Sequence, residues 1–156
     1  MKGVASMVTL RLVDEENFAQ VIDLSLAEED RSFVASNLRS LADCWLYREN
    51  GDVFPYAIYA NHQVVGFALV DVDEEEACYM IWRLMIDNSQ QGKGYGKTAI
   101  LALMEQAKAI GKYNTIRADF VKGNQKMERL LHSLGFVNFG QDEREIFTRR
   151  TLEVEK

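Results

Sequence analysis

Apolar residues recur along this chain with two different periods, and the change of period divides it into elements. Val8 to Leu12 alternates as a short strand does. Asp14 is placed to cap a helix, with Phe18, Val21, Ile22 and Leu24 at helical spacing. A second helix is expected from Glu28 to about Tyr47, with Phe33, Val34, Leu38, Leu41, Ala42 and Trp45 as its apolar positions and Gly51 ending it. The period then shortens. Phe54 to Ala60 reads as a strand, Asn61-His62 as a turn and Val64 to Val72 as the hairpin partner. An acidic run from Asp71 to Glu76 predicts another solvated turn before a strand over Cys78 to Ile86. Helical spacing returns from Tyr95 to Ile110, with Ile100, Leu103, Met104, Ala107 and Ile110 on one face and Gly111 in place for a C-terminal cap. Thr115 to Val121 is a strand. Asn124 caps a short helix to Leu134, with Gly135 at its end, and Phe136 to Phe139 and Arg144 to Leu152 form a last strand pair. The order β-α-α-β-β-β-α-β-α-β-β is an α+β arrangement with a largely antiparallel sheet and one crossover at the glycine-rich helix.

Composition narrows the class. The chain has 156 residues, 47% hydrophobic and 27% charged, as an ordinary soluble domain has. Residues 8 to 156 suit a single domain; Met1 to Ser6, followed by a second Met7, read as an upstream start or an expression remnant. The net charge of -6 opposes nucleic acid and is compatible with a cationic substrate, although such a bias mainly serves solubility. Cys44 and Cys78 form no paired spacing and fit reduced thiols in the cytoplasm. His62 and His132 have no metal-ligand spacing, and no apolar run is long enough for a membrane span.

The segment Gln91-Gly92-Lys93-Gly94-Tyr95-Gly96-Lys97-Thr98 joins a strand to a helix. Glycines let backbone approach a ligand, and the free N–H groups and positive dipole end of a helix start suit a phosphate. Three phosphate ligands fit such a turn. A nucleoside triphosphate loop needs a glycine where Gln91 stands. A dinucleotide pattern is present as Gly94-Tyr95-Gly96-Lys97-Thr98-Ala99, with Asp119 at the spacing for a ribose. However, Asp87 to Gln91 separate the loop from its strand, and hairpins precede it rather than alternating βα units.

The third is an acyl-CoA pyrophosphate. Gln91, Gly94 and Gly96 give Gln-x-x-Gly-x-Gly, Ile81 to Asp87 precede it, and Asn124 to Phe136 end in Leu134-Gly135-Phe136. Together these resemble the three signatures of the GNAT superfamily of N-acetyltransferases, in the expected order. "FPYAIYA", "VGFALV" and "WRLMID" are similar to segments of the bacterial diamine and polyamine acetyltransferases.

The resemblance implies a GNAT-type mixed sheet flanked by about four helices, with acetyl-CoA as co-substrate and a small-molecule primary amine as acceptor, a diamine or polyamine among the candidates. Aminoglycoside, amino-acid and peptide acceptors stay open, as does a module that binds acyl-CoA without turnover. It implies that the backbone of Leu84, Met85 and Ile86 pairs with pantetheine and that the Leu84 N–H polarises the acetyl carbonyl. Gln91 through Thr98 would cradle the pyrophosphate, and Asn124 would contact the pantetheine arm, cap the last helix, or both. A homodimer stays open. The sequence departs from the family at two places: Met80 stands where several members carry a glutamate base, and Leu131 where many carry a tyrosine acid. Neither moves a proton. Tyr79, Asp119 and His132 are nearby in sequence as substitutes, and His132 equally suits a helix surface. Trp82 and Tyr56 either wall an amine site or pack in the core. Glu28, Glu29 and Asp30 either hold an acceptor ammonium or complement a helix start. Arg83 either faces a buried carboxylate or is structural.

Overall fold

The computed structural model describes residues 7–153. Its strands are β1 (Thr9–Leu12), β2 (Val53–Ala60), β3 (Gln63–Asp73), β4 (Cys78–Ile86), β5 (Thr115–Val121), β6 (Val137–Gln141) and β7 (Glu145–Thr151). Its helices are α1 (Phe18–Asp23), α2 (Asn37–Leu46), α3 (Tyr95–Ile110) and α4 (Gln125–Ser133). All seven strands form one sheet in the order β1-β2-β3-β4-β5-β7-β6. Neighbours are antiparallel except β4 and β5, which are parallel and joined through α3 as a parallel pair requires. The Met1 to Ser6 segment lies outside the described residues.

The sheet has apolar residues on both faces. On one face, Ile100, Leu103 and Met104 of α3 and Leu131 of α4 pack on Ile81, Leu84, Ile116 and Ala118. On the other, Val21 of α1 and Leu41 and Cys44 of α2 pack on Phe67, Leu69 and Met85.

The expected helix from Glu28 to Tyr47 is broken. Glu28–Asp30 is one 3-10 turn, an irregular strap follows, and α2 starts at Asn37 because Ser36 caps it: its Oγ accepts the Arg39 N–H at 3.1 Å. A serine that can bond the backbone favours a helix start over a helix interior. The orientation of α2 also differs from the apolar pattern. Leu38 and Trp45 are exposed, while Asn37, Ser40 and Asp43 are buried. The inward face is polar because it has polar partners: Asn37 donates to the Val21 carbonyl at 2.9 Å, and Asp43 meets Arg83. Asp14 stabilises a turn ahead of α1, accepting the Glu16 and Asn17 N–H groups, and the helix itself begins at Phe18.

One irregularity shapes everything beside it. Leu69 pairs with Arg83 and the next residue, Val70, with Ile81, so Trp82 is an extra residue in β4. Such a bulge bends its strand. Pairing between β4 and β5 covers only Cys78–Ile81 against Thr115–Ala118. Beyond the bulge the two strands part.

Candidate active site

The parting of β4 and β5 leaves a peptide edge inside the fold. The Asp87 N–H bonds the Val65 carbonyl at 2.8 Å, and antiparallel ladders alternate. Counting back along the register, Met85 and Arg83 turn their peptide groups toward β3. Leu84 and Ile86 turn theirs into the gap. The Gln91 side-chain amide, donating to the Ile86 carbonyl at 3.2 Å, reaches that same edge. Of the three residues expected to pair with pantetheine, Met85 thus offers no edge amide. Its side chain belongs to the second core.

The glycine loop comes next. Asp87 anchors its start, accepting the N–H groups of Ser25 (2.8 Å) and Ser89 (3.1 Å) and the Ser89 hydroxyl. Burial pushes this carboxyl up, but those hydrogen bonds outweigh it and hold it below the usual range. Gly92 and Gly94 sit at φ 81° and 82°, where only glycine is at ease. A Cβ at either would meet nothing within 4 Å, so this stretch faces open space. The first intrahelical bond of α3 runs from the Thr98 N–H to the Gly94 carbonyl, leaving the amides of Tyr95, Gly96 and Lys97 without helical partners. Thr98 gives its hydroxyl hydrogen to the Gly94 carbonyl too. Lys93 bonds Gln90 Oε1 at 2.9 Å, and Lys97 is exposed. The Tyr95 side chain is buried in the main core, so Tyr95 can offer a ligand only its backbone.

Two cavities meet at Leu84. One, of about 310 Å³, is lined by Ile86, Gln91, Gly92, Gly94, Gly96 and Lys97 and ends at Asn124. The other, of about 410 Å³, lies in the gap itself, between Trp82 and Arg83 of β4, Asp119 of β5 and Glu145 of β7. Leu84, Asn124, Met127 and the strap residues Phe33 and Val34 border both. Asn124 caps α4, its Oδ1 accepting the Met127 N–H at 3.3 Å.

Several expected site residues lie elsewhere. Tyr79 precedes the bulge, where β4 is paired and faces the core. It is 1% exposed, and its hydroxyl accepts a hydrogen bond from Gln106. Burial drives its pKa far up. His132 is exposed on α4, with Nε2 2.8 Å from Asn138 Oδ1, and borders neither cavity. Tyr56 packs against the main core beside Gln106. Glu28 is exposed in the 3-10 turn and borders neither cavity, whereas Asp30 does border the loop cavity. Leu131, by contrast, is fully buried and does line the 410 Å³ cavity, where its apolar side chain moves no proton. Met80 lies before the gap, on the paired part of β4.

Trp82 and Asp119 do reach the gap. The Arg83 guanidinium stacks 4.4 Å from the Trp82 ring. Asp119 is held by Arg117 through two bonds of 2.9 and 2.7 Å. Arg83 faces a carboxylate, Asp43, at 2.7 Å. The Asp142–Glu145 segment was not visible as part of a site in the sequence. Asp142 Oδ1 accepts the N–H groups of Arg144 and Glu145, and both Asp142 and Glu145 line the 410 Å³ cavity. Burial, then the negative charges of Asp119 and Asp142, push Glu145 above the ordinary carboxylate range, while Arg144 and Arg117 oppose them. Cys44, pushed up to about 11 by burial, stays a thiol.

A peptide edge in a gap, bounded by a glycine turn with free amides, can pair with an amide-bearing arm and hold a phosphate at its other end. The comparisons agree with that chemistry. A spermine/spermidine N(1)-acetyltransferase of Bacillus subtilis (strain 168) is 27% identical over 138 residues, which cover 83% of this chain and 87% of that one. The structure of spermidine N-acetyltransferase from Vibrio cholerae in complex with CoA and spermine superposes with a TM-score of 0.77 at 15% identity, over 94% of this chain and 96% of that one. Aminoglycoside acetyltransferase AAC(6')-Ib in complex with coenzyme A gives 0.76 at 23%, over 92% and 94%. The model of the GNAT acetyltransferase family matches residues 18–136, so the chain belongs to that family and is an acetyl-CoA-dependent N-acetyltransferase.

Proposed function

We propose that the enzyme acetylates a primary amine of a linear diamine or polyamine. The observation that carries this is the charge on the β7 side of the gap cavity. Arg39 and Arg83 share Asp43 on the α2 side, and Asp119 is paired by Arg117. On the β7 side Asp142 and Glu145 face Arg144 alone, and that local negative charge favours an ammonium-bearing acceptor there. The acetyl end of the co-substrate and the acceptor must share about 410 Å³, which suits a slender chain better than several fused or linked rings. The spermine/spermidine relative supports the same class.

On this proposal the amides of Tyr95, Gly96 and Lys97 hold the pyrophosphate, with Lys97 adding charge. Leu84 and Ile86 pair with the pantetheine amides, and Asn124 borders the arm where it enters the gap. The Leu84 N–H then points at the thioester carbonyl, where oxyanion charge develops in the transition state. Holding amine and thioester together supplies much of the rate, since well-oriented pairs gain up to about 7–11 kcal/mol.

A free-thiol release assay with spermidine, putrescine, an aminoglycoside, an amino acid and a short peptide, side by side, tests the acceptor. A polyamine should give the highest kcat/KM. A larger value for an aminoglycoside or peptide replaces this acceptor with another. We also place the enzyme in the cytoplasm, as one catalytic domain over residues 8 to 156; no described helix is long and apolar enough to cross a membrane. A homodimer belongs to the same proposal. Support comes from β6, an edge strand with Val137 and Phe139 exposed, and light scattering tests it.

A further inference from the structure

The gap cavity poses a question of proton balance. An alkyl ammonium with a pKa near 10.4 is protonated at neutral pH and must lose a proton before it can attack. Met80, at the place of the family's frequent glutamate, cannot take it. Among the ionisable groups around the cavity, most are already engaged. Asp119 lies under both bonds from Arg117, with its side chain 6% exposed. Asp142 accepts two backbone N–H groups, at 2.8 and 2.6 Å, and is otherwise in solvent. Arg39 and Arg83 are drawn to Asp43, and Arg144 donates to the Ser32 carbonyl at 3.4 Å. Tyr79 and His132 lie outside. Glu145 is left. It is partly buried at the first position of β7, opposite Val121, and among the described residues no hydrogen bond or ion pair holds its carboxylate.

We infer that Glu145 is the general base that takes the acceptor's proton. This deepens the acceptor assignment above and rests on it only in requiring a protonated amine. The ammonium gives one proton to the Glu145 carboxylate, directly or through one water. The nitrogen lone pair forms the C–N bond to the acetyl carbon while the Leu84 N–H steadies the oxyanion. The C–S bond breaks, the sulfur takes the second amine proton, and Glu145 returns the first to water. The products are acetamide, free thiol and one proton.

The groups facing Glu145 suit the task. Asp119 from β5 and Asp142 from the preceding turn are negative. Arg117 from β5 and Arg144 from the turn are positive, with Arg39 of α2 and Arg83 of β4 across the cavity and Lys122 near Asp142. Burial, together with that balance of charges, raises Glu145 above an ordinary carboxylate, which makes it a stronger acceptor of protons than an unperturbed one. Activity therefore grows as pH rises through the folded Glu145 pKa.

The test is the pH profile of thiol release by wild type, Glu145→Gln and Glu145→Asp, using whichever amine of the panel is the best acceptor and a second amine of different pKa. Glu145→Gln should lower kcat by about 10²-fold with acceptor KM little changed. Its low-pH limb should disappear, leaving a profile that follows the free amine, and Glu145→Asp should recover part of the loss. A kcat within about 3-fold of wild type, a change in KM alone, or a retained limb overturns the assignment, because a base contributes far more than that. Binding of CoA, read as a rise in Tm, shows that each variant is folded. Should Glu145→Gln fail that check, Asp142→Asn in the intact enzyme removes a neighbouring negative charge. The limb should then move to lower pH, and an unmoved limb overturns the assignment. A different preferred acceptor displaces the polyamine proposal and leaves the Glu145 comparison intact.

Discussion

The guanidinium of Arg83 and the carboxylate of Asp43 meet at 2.7 Å between the strand that opens the sheet and the helix beside it. Arg83 directly follows the bulged Trp82, so the contact ties the bulge to α2. Ser40 adds a bond to the same guanidinium at 3.2 Å, and Arg39 approaches the same carboxylate at 3.2 Å.

With side chains 15% and 6% exposed, the pair is nearly buried. Asp43→Ala should leave Arg83 charged and unpaired and cost about 3 kcal/mol in urea unfolding. The pH dependence follows in sign. Burial pushes Asp43 up, but its bonds to Arg83 and Arg39 prevail and hold it below the ordinary 3.8. A carboxyl lowered on folding contributes its stability fully above the unfolded pKa and loses it as pH falls through the folded one. Wild type should therefore weaken below about pH 4 in a way Asp43→Asn does not, as urea titrations across that range will read.

The glycine loop gives a sharper test than its composition suggests, because its glycines differ. Gly94 is left-handed at φ 82° beside the free amides, so Gly94→Asp adds strain of about 1–2 kcal/mol and a negative charge at the phosphate position. Acetyl-CoA KM should rise at least about tenfold and the CoA-induced rise in Tm should vanish. Gly96 lies within α3, where a Cβ would meet Leu130 at 3.6 Å and Ile86 at 3.9 Å, ordinary contacts. Gly96→Ala should raise stability by up to about 1 kcal/mol, read by thermal melting.

Tyr79→Phe and His132→Ala should each keep kcat within about 3-fold, since neither borders the gap and a base at work would cost at least 10²-fold. Tyr79→Phe should still cost about 1 kcal/mol of stability by leaving the Gln106 amide without its acceptor. A large kcat loss in either variant, with normal CoA binding, returns that residue to the mechanism.

Gly66 on β3 faces Ile86 across the ladder, and a Cβ there would come within 2.5 Å of the Met85 carbonyl oxygen and 2.7 Å of Ile86 Cδ1. Backbone cannot yield as a side-chain tip does. Gly66→Ala should cost about 1–3 kcal/mol and weaken acetyl-CoA binding, because the displaced strand carries the Leu84 and Ile86 edge; melting and KM measure the two effects.

The glycine turn, its place between strand and helix, and the period of most elements were legible because each rests on local spacing. The bulge at Trp82 was not, since an extra residue shows only against the partner strand. The break before Ser36 had a local signal, a serine able to cap, masked by apolar spacing that continued through Phe33 and Val34. The inward polar face of α2 depends on Arg83, 40 residues along the chain from Asp43. Glu145 carried no signal at all: alternation on β7 gives it a face, and only the sheet order, with β7 beside β5, brings that face to the gap.

A seven-stranded sheet joined at its middle by four residue pairs behaves mechanically as two plates on a short seam. The seam runs from Cys78 to Ile81, and α3 is the covalent strut across it. Each plate has its own antiparallel ladder and can open as a separate cooperative unit. A ligand that pairs with β4 beyond the seam lengthens it, turning two units into one. Amide hydrogen exchange will show this as slowing at Leu84 and Ile86 on adding CoA, spreading into β5 and β7, where no ligand atom need touch the chain.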